Sequence, residues 1–393
     1  MSRYRLVPSP AQEAVLREHC AHARFVWNLA VEQWSWWRPG RGSAPGYLVQ
    51  CRQLTEARRE HAWLRAGSQM VQQQALRDFA HATAAFFDQE NPAGRPSWRK
   101  VGRDEGFRIV AVTPGHVRRV SRKTGEVWVP KAGWVRLRWS RQVPAAKSYR
   151  VTRDRAGRWH IAFAVIPEAI PGSGTGDVVG VDRGVAVTAA LSTGERLPVP
   201  RLSAQRRRRL RRLQRKLART KRGSNRRVRV KLAIARLKAR ETDARKDWAE
   251  KTSTDLARRF DVIRVEDLRI AEMTRSAKGT IERPGRNVRQ KAGLNREIRR
   301  SAWGLLVRRL EQKAPGRVEK INPAFTSQRC SACGHIAAES RKSQALFACV
   351  ACGYTGNADV NAATNIAAGH AVTARGGDRA TGPANREPQL LAS

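Results

Sequence analysis

Apolar residues change their spacing along the chain, and each spacing predicts a different kind of element. Across residues 10–90 they recur at steps of three and four, as in the run from Leu16 to Trp34, which predicts amphipathic helices. Across residues 107–166 the step becomes two: "VRLRW" (135–139) alternates apolar side chains with arginines, which is typical of an antiparallel strand with one buried face. The breaker cluster "NPAGRPSW" (91–98) separates the helical part from this β module.

The second half of the chain alternates short apolar strands with helices. "DVVGVDRGVAVTAALSTGE" (177–195) predicts a buried strand, a glycine turn and a second strand, and "FDVIRVEDL" (260–268) and "GRVEKINPAF" (316–325) predict further strands. The basic, breaker-rich residues 273–293 predict a loop, and "LNREIRRSAWGLLVRRLEQKA" (294–314) has the period of one amphipathic helix. The pattern as a whole therefore predicts a multidomain α/β protein.

The net charge of the chain restricts its possible functions more than its apolar content does. The 393 residues include 77 Lys and Arg against 33 Asp and Glu, a net charge of +44. A compact chain with that charge repels itself unless a polyanion neutralises it, and nucleic acid binds basic proteins by releasing its condensed counterions. A very basic ribosomal component has the same property, so the charge by itself leaves that class of protein open.

Basic residues are concentrated between Arg201 and Arg240, where 19 Lys and Arg occur with no acidic residue. Leucines at helical spacing and a turn at "KRGSN" (221–225) predict a basic helical hairpin. A solvated helix face normally mixes both signs of charge, so a face of one sign favours contacts with a phosphate backbone. The candidate phosphate-binding residues are Arg206, Arg207, Arg208, Arg209, Arg211, Arg212, Arg215, Lys216, Arg219, Lys221, Arg222, Arg226 and Arg227.

Four of the six cysteines form two knuckles, Cys330-x2-Cys333 and Cys349-x2-Cys352, with fifteen residues between them. This spacing is typical of a four-cysteine zinc ribbon with a closed, structural Zn²⁺ site. Disulfides and a redox pair are the alternatives. The sequence has no run of 18 apolar residues and no signal-peptide pattern at its N-terminus, so we expect a cytoplasmic chain with reduced cysteines, which argues against disulfides.

Three acidic residues stand out against this basic background because of where they occur. Asp182 ends the apolar strand "VVGVD", Glu266 ends "VIRVE", and Asp359 heads the predicted helix "ADVNAATNIAAG". A carboxylate at the end of a buried strand is costly unless it binds a cation, and three that converge suit hard divalent ions such as Mg²⁺. Each also has an ordinary explanation: Asp182 as a turn residue, Glu266 as the partner of an arginine, and Asp359 as a helix cap. The order of strand hairpin, basic helices, strand and final helix favours an RNase H-like nuclease core.

Several blocks in this order resemble the TnpB family, the transposon-associated nucleases related to type V CRISPR effectors, across nearly all of residues 3–368. "YRLVPSPAQEAVL" with "ARFVWNLAVEQW" resembles its N-terminal opening, and "VPKAGWVRLRW" and "RWHIAFAV" resemble its β domain. "GVDRGV", "VIRVEDL", "LNREIRRSAWGLLVRRLEQKA", "INPAFTSQRCSACG" and "ADVNAATNI" resemble its nuclease blocks. Arg183 is a departure, because an apolar residue is more usual there, but the carboxylate of Asp182 is retained.

The resemblance implies an RNase H-like (RuvC) core whose catalytic triad is Asp182, Glu266 and Asp359, with Mg²⁺ bound there as two ions and structural zinc in the ribbon. It also implies an N-terminal helical recognition lobe and an antiparallel β wedge domain. The implied divisions are 1–9 (first wedge strand), 10–95 (recognition domain), 96–172 (wedge domain, β-barrel-like), 173–325 (first part of the core, with the basic hairpin at 201–259), 326–353 (zinc ribbon) and 354–369 (final core helix). The Ala-, Gly- and Pro-rich tail at 370–393 is predicted to be disordered.

A protein that resembles this family is expected to be an RNA-guided, Mg²⁺-dependent DNA endonuclease. Its guide RNA comes from the same transposon and supplies the sequence recognition, and the protein cuts target double-stranded DNA beside a short motif. We expect a monomer on its RNA, without a membrane partner. The alternatives are a nuclease-inactive RNA-guided repressor, a compact type V CRISPR effector, and a nuclease accessory that acts without guide RNA. The intact triad favours the enzyme.

Overall fold

The helices and strands of the chain were located in a computed structural model, which describes residues 2–36, 44–90, 93–103 and 105–369. The predicted disordered tail lies outside these residues. The described chain divides into two units, each with a hydrophobic core of its own. The first unit consists of residues 2–166 and 209–237, and the second of residues 167–208 and 238–369.

Up to residue 166, the first unit contains a group of helices and a group of strands. The helices are α1 (Pro10–Ser35), α2 (Tyr47–Glu60), α3 (Ala62–Ala66) and α4 (Gln69–Phe87). The strands are β1 (Ser2–Arg5), β2 (Gly106–Val110), β3 (Val117–Arg119), β4 (Thr124–Val129), β5 (Gly133–Arg138), β6 (Ser148–Arg153) and β7 (Trp159–Phe163).

Both predicted patterns of the first unit are confirmed. In α1 the residues at three- and four-residue steps from Leu16 to Ala30 are buried and Trp34 is half-buried, and Ser9 caps the helix in a reciprocal pair with Gln12. The strands form two antiparallel sheets, in the orders β1-β7-β6-β2 and β3-β4-β5. Val135 and Leu137 of "VRLRW" are fully buried, whereas Arg136 and Arg138 are exposed.

The second unit is organised around one mixed sheet and a small ribbon. Its strands are β8 (Val178–Asp182), β9 (Ala189–Leu191), β10 (Arg196–Leu197), β11 (Val262–Glu266), β12 (Val318–Ile321), β13 (Leu346–Ala348) and β14 (Thr355–Asn357). Two basic helices are shared with the first unit: α5 (Ala204–Ala218) ends there and α6 (Asn225–Arg259) begins there. The other helices of the second unit are α7 (Ile270–Met273), α8 (Val288–Arg300), α9 (Trp303–Lys313) and α10 (Ala358–Ala367). No helix of the described chain combines the length and apolar character needed to cross a membrane.

The mixed sheet has the strand order β10-β9-β8-β11-β12. Strand β9 runs antiparallel to β8, whereas β11 runs parallel to both β8 and β12. One face of the sheet packs on the C-terminal part of α6 and on α9. The apolar side chains that meet there are Val179, Val181, Ile263, Val265, Leu256, Phe260, Leu306 and Leu310. Because side chains alternate along a strand, the residues between these valines and isoleucine face the other side of the sheet.

Helix α10 covers that other side of the sheet and approaches β8 closely at Gly180. A β-carbon at Gly180 would lie 2.0 Å from the carbonyl oxygen of Ala363 and 2.4 Å from the backbone nitrogen of Ala367. Both contacts are backbone atoms, which cannot rotate out of the way as a flexible side chain can. Glycine at this position is therefore required for the helix to lie directly on the strand.

Two elements differ from the prediction for residues 273–314. The predicted single helix is two helices, α8 and α9, because Ala302 adopts a left-handed backbone conformation (φ 61°) and the Ser301 hydroxyl donates to the carbonyl of Ile298. The predicted loop is also shorter than expected, because α8 already begins at Val288. Periodicity did not detect the break, since the apolar positions on either side of it remain in phase.

We expect the substitution Gly180→Ala to destabilise the protein by about 3 kcal/mol, the upper range for overpacking, because α10 must move away from β8. Thermal unfolding measures the loss. Gly94→Ala is the matched control, since nothing lies within 4 Å of a β-carbon there. Equal unfolding temperatures for the two variants would contradict the close approach of helix and strand.

Candidate active site

Asp182 and Glu266 are the last residues of two adjacent parallel strands. The register pairs Val181 of β8 with Val265 of β11, so the two carboxylates follow at the same level of the sheet. Both side chains point to the face covered by α10, because they alternate with the buried valines that precede them. The carboxyl ends of parallel strands thus bring together two acids that are far apart in the sequence.

Asp359 lies in the first turn of α10 and is not its cap. Asn357 is the N-cap, and its side-chain oxygen accepts hydrogen bonds from the backbone nitrogens of Asp359 and Val360, both at 3.1 Å. The capping explanation for Asp359 is therefore wrong, and its carboxylate is available for another role. Ala363 is the residue of α10 that lies over Gly180. Asp359 comes four residues earlier, so Asp359 lies on the same face of α10, one turn nearer its N-terminus.

The three carboxylates influence one another electrostatically. Burial raises the pKa of Asp182 well above its usual value, and the neighbouring charges of Glu266 and then Asp359 raise it further. Burial also raises the pKa of Asp359, against the opposing effects of Arg341 and Arg196. The surroundings of Asp182 and Asp359 oppose their ionisation, which is the electrostatic environment expected of a site that binds cations.

Two arginines accompany these acids. The buried side chain of Arg183 donates from Nη2 to the backbone carbonyl of Glu266. Arg341 Nη2 lies 3.7 Å from Asp359 Oδ1, and both side chains are largely buried. The sequence indicated Arg183 only as a departure from the apolar residue that is usual in the family motif. It gave no signal for Arg341, because Arg341 lies among other polar residues between the two cysteine knuckles and its contact with Asp359 is purely tertiary.

The four predicted zinc ligands are brought together. All four cysteine sulfurs lie within 4.8 Å of one another, and the Sγ atoms of Cys330 and Cys352, and of Cys333 and Cys349, are 3.7 Å apart. A tetrahedron with Zn–S bonds of about 2.3 Å has edges of about 3.8 Å, so the sulfurs fit a closed zinc site. The same distances are far longer than the roughly 2.05 Å of a disulfide bond.

The knuckles have the backbone that a zinc ribbon requires. In each, the glycine after the second cysteine has a positive φ, and its nitrogen donates to the carbonyl of the first cysteine. Backbone N–H groups of Cys352 and Ala351 lower the pKa of Cys349 to about 6, although burial opposes them, which favours a thiolate. Apart from its cysteines, the small core of this segment consists of Phe347 and Ala358 with Tyr354 packed against it, so a metal ion would supply much of its stability.

Comparison with known proteins decides the family. Models of a probable transposase, of the TNB domain of Cas12f1-like proteins and of a helix-turn-helix domain match residues 140–277, 303–366 and 2–42. The chain is 36% identical over 399 residues to the putative RNA-guided DNA endonuclease InsQ of Escherichia coli (strain K12), covering 98% of this chain and 96% of that protein. It belongs to the TnpB family.

Further comparisons agree with this membership. A putative RNA-guided DNA endonuclease of Streptomyces pristinaespiralis is 32% identical over 387 residues, covering 95% of this TnpB-family chain and 90% of that protein. A cryo-EM structure of a Cas12f1–sgRNA–target DNA complex has the same fold, with a TM-score of 0.55 at 15% identity over 91% of this chain and 83% of that one. The chain is thus a mixed α/β protein of the type V effector fold, with a cysteine cluster compatible with a zinc ribbon.

The basic segment of this TnpB-family protein forms the two predicted helices. Helix α5 ends at Ala218 and α6 begins at Asn225, and all the candidate phosphate-binding residues except Arg227 are exposed. Arg227 has a structural role instead: its Nη1 donates to the carbonyls of Leu217 and Thr220 at 2.8 and 3.1 Å and closes the turn between the helices. The other candidates are placed for contact with a polyanion, which stays a prediction.

We expect Asp182→Asn to stabilise the protein when divalent cations are absent. An acid whose pKa is higher in the folded protein than in the unfolded chain binds more protons when folded, so its contribution to stability falls as pH rises from about 4 through the raised value. At pH 8, above the value of the unfolded chain, the wild type has lost stability in this way and the asparagine variant has not. Thermal unfolding in a chelator should therefore give a higher midpoint for Asp182→Asn.

Asp247→Asn is the control, because Asp247 is 63% exposed in a surface ion pair and should change the midpoint little. Mg²⁺ should then stabilise the wild type more than Asp182→Asn. A lower midpoint for Asp182→Asn in chelator would show that Asp182 is not destabilised by its neighbours.

Proposed function

We propose that this chain is an RNA-guided DNA endonuclease whose catalytic residues are Asp182, Glu266 and Asp359. The observation that carries the proposal is the placement of Asp182 and Glu266 at the ends of adjacent parallel strands, with the charges of Glu266 and Asp359 both raising the pKa of Asp182. An acidic cluster in a chain of net charge +44 has an evident use only if it acts on the polyanion that the rest of the chain binds. The full-length relatives are named putative RNA-guided DNA endonucleases.

The fold supports an RNase H-like core as the finer assignment. A hairpin of antiparallel strands continues into parallel strands, and a helix with an acidic first turn covers the sheet. The remaining divisions are proposed with the predicted boundaries: the recognition domain at 10–95, the wedge strands at 1–9 and 96–172, and the zinc ribbon at 326–353.

Asp182, Glu266 and Asp359 would hold the Mg²⁺ ions, and Cys330, Cys333, Cys349 and Cys352 would hold the zinc. Bound Mg²⁺ supplies charge stabilisation for the attacking and leaving oxygens of a phosphodiester. Strands β8 and β11 and helix α10 hold the acids at fixed separations before any ion binds. Arg341 offsets part of the acidic charge beside Asp359 and lowers the pKa of that carboxyl, so that it stays ionised more readily than burial alone would allow.

The proposed partners are a guide RNA from the same transposon and target double-stranded DNA, with the protein acting as a monomer on its RNA in the cytoplasm. Exposed arginines of α5 and the following turn provide backbone contacts without sequence readout, which suits a protein whose sequence recognition comes from base pairing. The repressor alternative is not favoured, since all three carboxylates are present. Similarity over nearly the full length of the endonuclease relatives favours the transposon group over a CRISPR effector.

We expect Asp182→Ala to abolish cutting of a target plasmid, by at least about 10³-fold, while RNA and DNA binding persist. The measurement is single-turnover cleavage by the purified RNA–protein complex in Mg²⁺. Asp247→Ala, at an exposed position, should cut as the wild type does. Cutting by Asp182→Ala at the wild-type rate would place the active site elsewhere. Sequencing the copurified RNA tests guidance separately, and a random mixture of cellular RNAs would count against a guide.

We expect replacement of Arg206, Arg207, Arg208 and Arg209 by alanine to weaken RNA binding and to flatten its salt dependence. Each lost phosphate contact lowers the slope of log K against log salt by about 0.7–0.9, so four contacts would lower it by about 3. Replacement of the same four residues by lysine is the control, since it keeps the charge and should nearly keep the slope. Unchanged slopes for both variants would mean that these side chains face only solvent.

A further inference from the structure

A short segment connects the carboxylates to the zinc ribbon. We call residues 326–331 the tether, since they follow β12 and lead into the first knuckle at Cys330. At its beginning, the Thr326 hydroxyl donates to Glu266 Oε1 at 2.9 Å, and both residues are at least nine-tenths buried. The hydroxyl also lies 3.1 Å from the carbonyl of Pro323. It has a single proton, and its contact with Glu266 is the shorter of the two.

Helix α10 is fastened to the same tether by two buried asparagines one turn apart. The side-chain nitrogens of Asn361 and Asn365 donate to the carbonyl of Arg329 at 2.8 and 2.7 Å, and Asn365 also donates to the carbonyl of Thr326 at 3.0 Å. The side-chain oxygen of Asn361 accepts from the nitrogen of Ser331 at 2.9 Å. Hydrogen bonds of buried amides are expensive to disrupt, so these bonds hold the helix and the tether as one body.

The tether therefore contacts the elements that carry two different acids. Thr326 holds the carboxylate of Glu266 at the end of β11, and the asparagines hold the helix whose first turn carries Asp359. The far end of the tether is closed by the knuckle, where the nitrogen of Gly334 donates to the carbonyl of Cys330 and the sulfurs meet. A knuckle without its metal loses the bonds that close this end.

We propose that Thr326 is a positioning residue for Glu266, and that the tether makes the geometry of the Mg²⁺ site depend on the zinc ribbon. The proposal rests on the proposed function, in which Glu266 and Asp359 hold Mg²⁺. A hydrogen bond to one oxygen of a ligating carboxylate fixes which way the group faces, and loss of such a partner typically lowers metal affinity or activity about 10–100-fold.

The test compares Thr326→Val, which keeps the shape of the side chain and removes the hydroxyl, with Thr326→Ser, which keeps the hydroxyl. Mn²⁺ serves as the probe, and its binding to the RNA–protein complex without target DNA is followed by electron paramagnetic resonance. The Mg²⁺ concentration for half-maximal cleavage is measured in parallel. Zinc content, unfolding temperature and RNA affinity report on the rest of the structure.

We expect Thr326→Val to need about 10–100-fold more Mn²⁺ and Mg²⁺, with zinc content and RNA affinity unchanged, and Thr326→Ser to restore values near the wild type. Wild-type Mn²⁺ affinity in the valine variant would overturn the proposal, as would equal losses in both variants, which would indicate packing rather than positioning. Cys352→Ser, which removes one zinc ligand, tests the coupling even if the valine variant fails to fold. Its Mn²⁺ affinity should also fall, and an unchanged affinity would show that the ribbon and the site are independent.

Asp182→Ala in the same assays separates this proposal from the proposed function. If Asp182→Ala neither binds Mn²⁺ at the site nor cuts, while Thr326→Val behaves as the wild type, the positioning role alone is wrong. If Asp182→Ala binds Mn²⁺ and cuts normally, the proposed active site itself is wrong.

Discussion

Burial of Asp182 beside the carboxylates of Glu266 and Asp359 is the constraint on which the second unit depends. Asp182, Glu266 and Asp359 raise the free energy of the folded chain wherever they are ionised without a cation, and the raised pKa of Asp182 is the measure of that cost. The chain has to hold them in place by other interactions. Two parallel strands with a shared valine-rich face supply the first, and the direct contact of α10 with Gly180 supplies the second.

The segment that carries the cysteine cluster has a small apolar core. It makes buried hydrogen bonds to α10 and to Glu266. In the coupling that we propose, a metal ion with no part in the chemistry determines whether a second metal site is well formed. Arg341 adds an electrostatic link from the same ribbon to Asp359.

Basic and acidic residues are concentrated in different parts of the chain. A net charge of +44 attracts nucleic acid without regard to sequence, and the arginines of α5 are exposed. The three acids of the proposed active site have the opposite charge. The proposed binding and cutting residues are therefore different, so mutation can test them separately.

Much of this protein follows from its sequence alone. Local periodicity predicted the helices of the first unit, its antiparallel strands and the strands that end at Asp182 and Glu266, because these depend on neighbouring residues and on burial of one face. The spacing of the cysteines predicted the cluster that their four sulfurs form, because a knuckle is a local structure. Family resemblance, rather than physical reasoning from single residues, raised Asp359 from a helix cap to a candidate catalytic acid.

Only the tertiary structure decided the rest. The helix break at Ala302 depends on a single left-handed residue that leaves the apolar period intact, and the structural role of Arg227 depends on carbonyls in a turn. Contacts such as Thr326 with Glu266, which are 60 residues apart, have no local signal, because a threonine before a cysteine knuckle has the same sequence whether or not it holds a carboxylate. Such pairs become visible only when the strands and the helix that bear them are packed together.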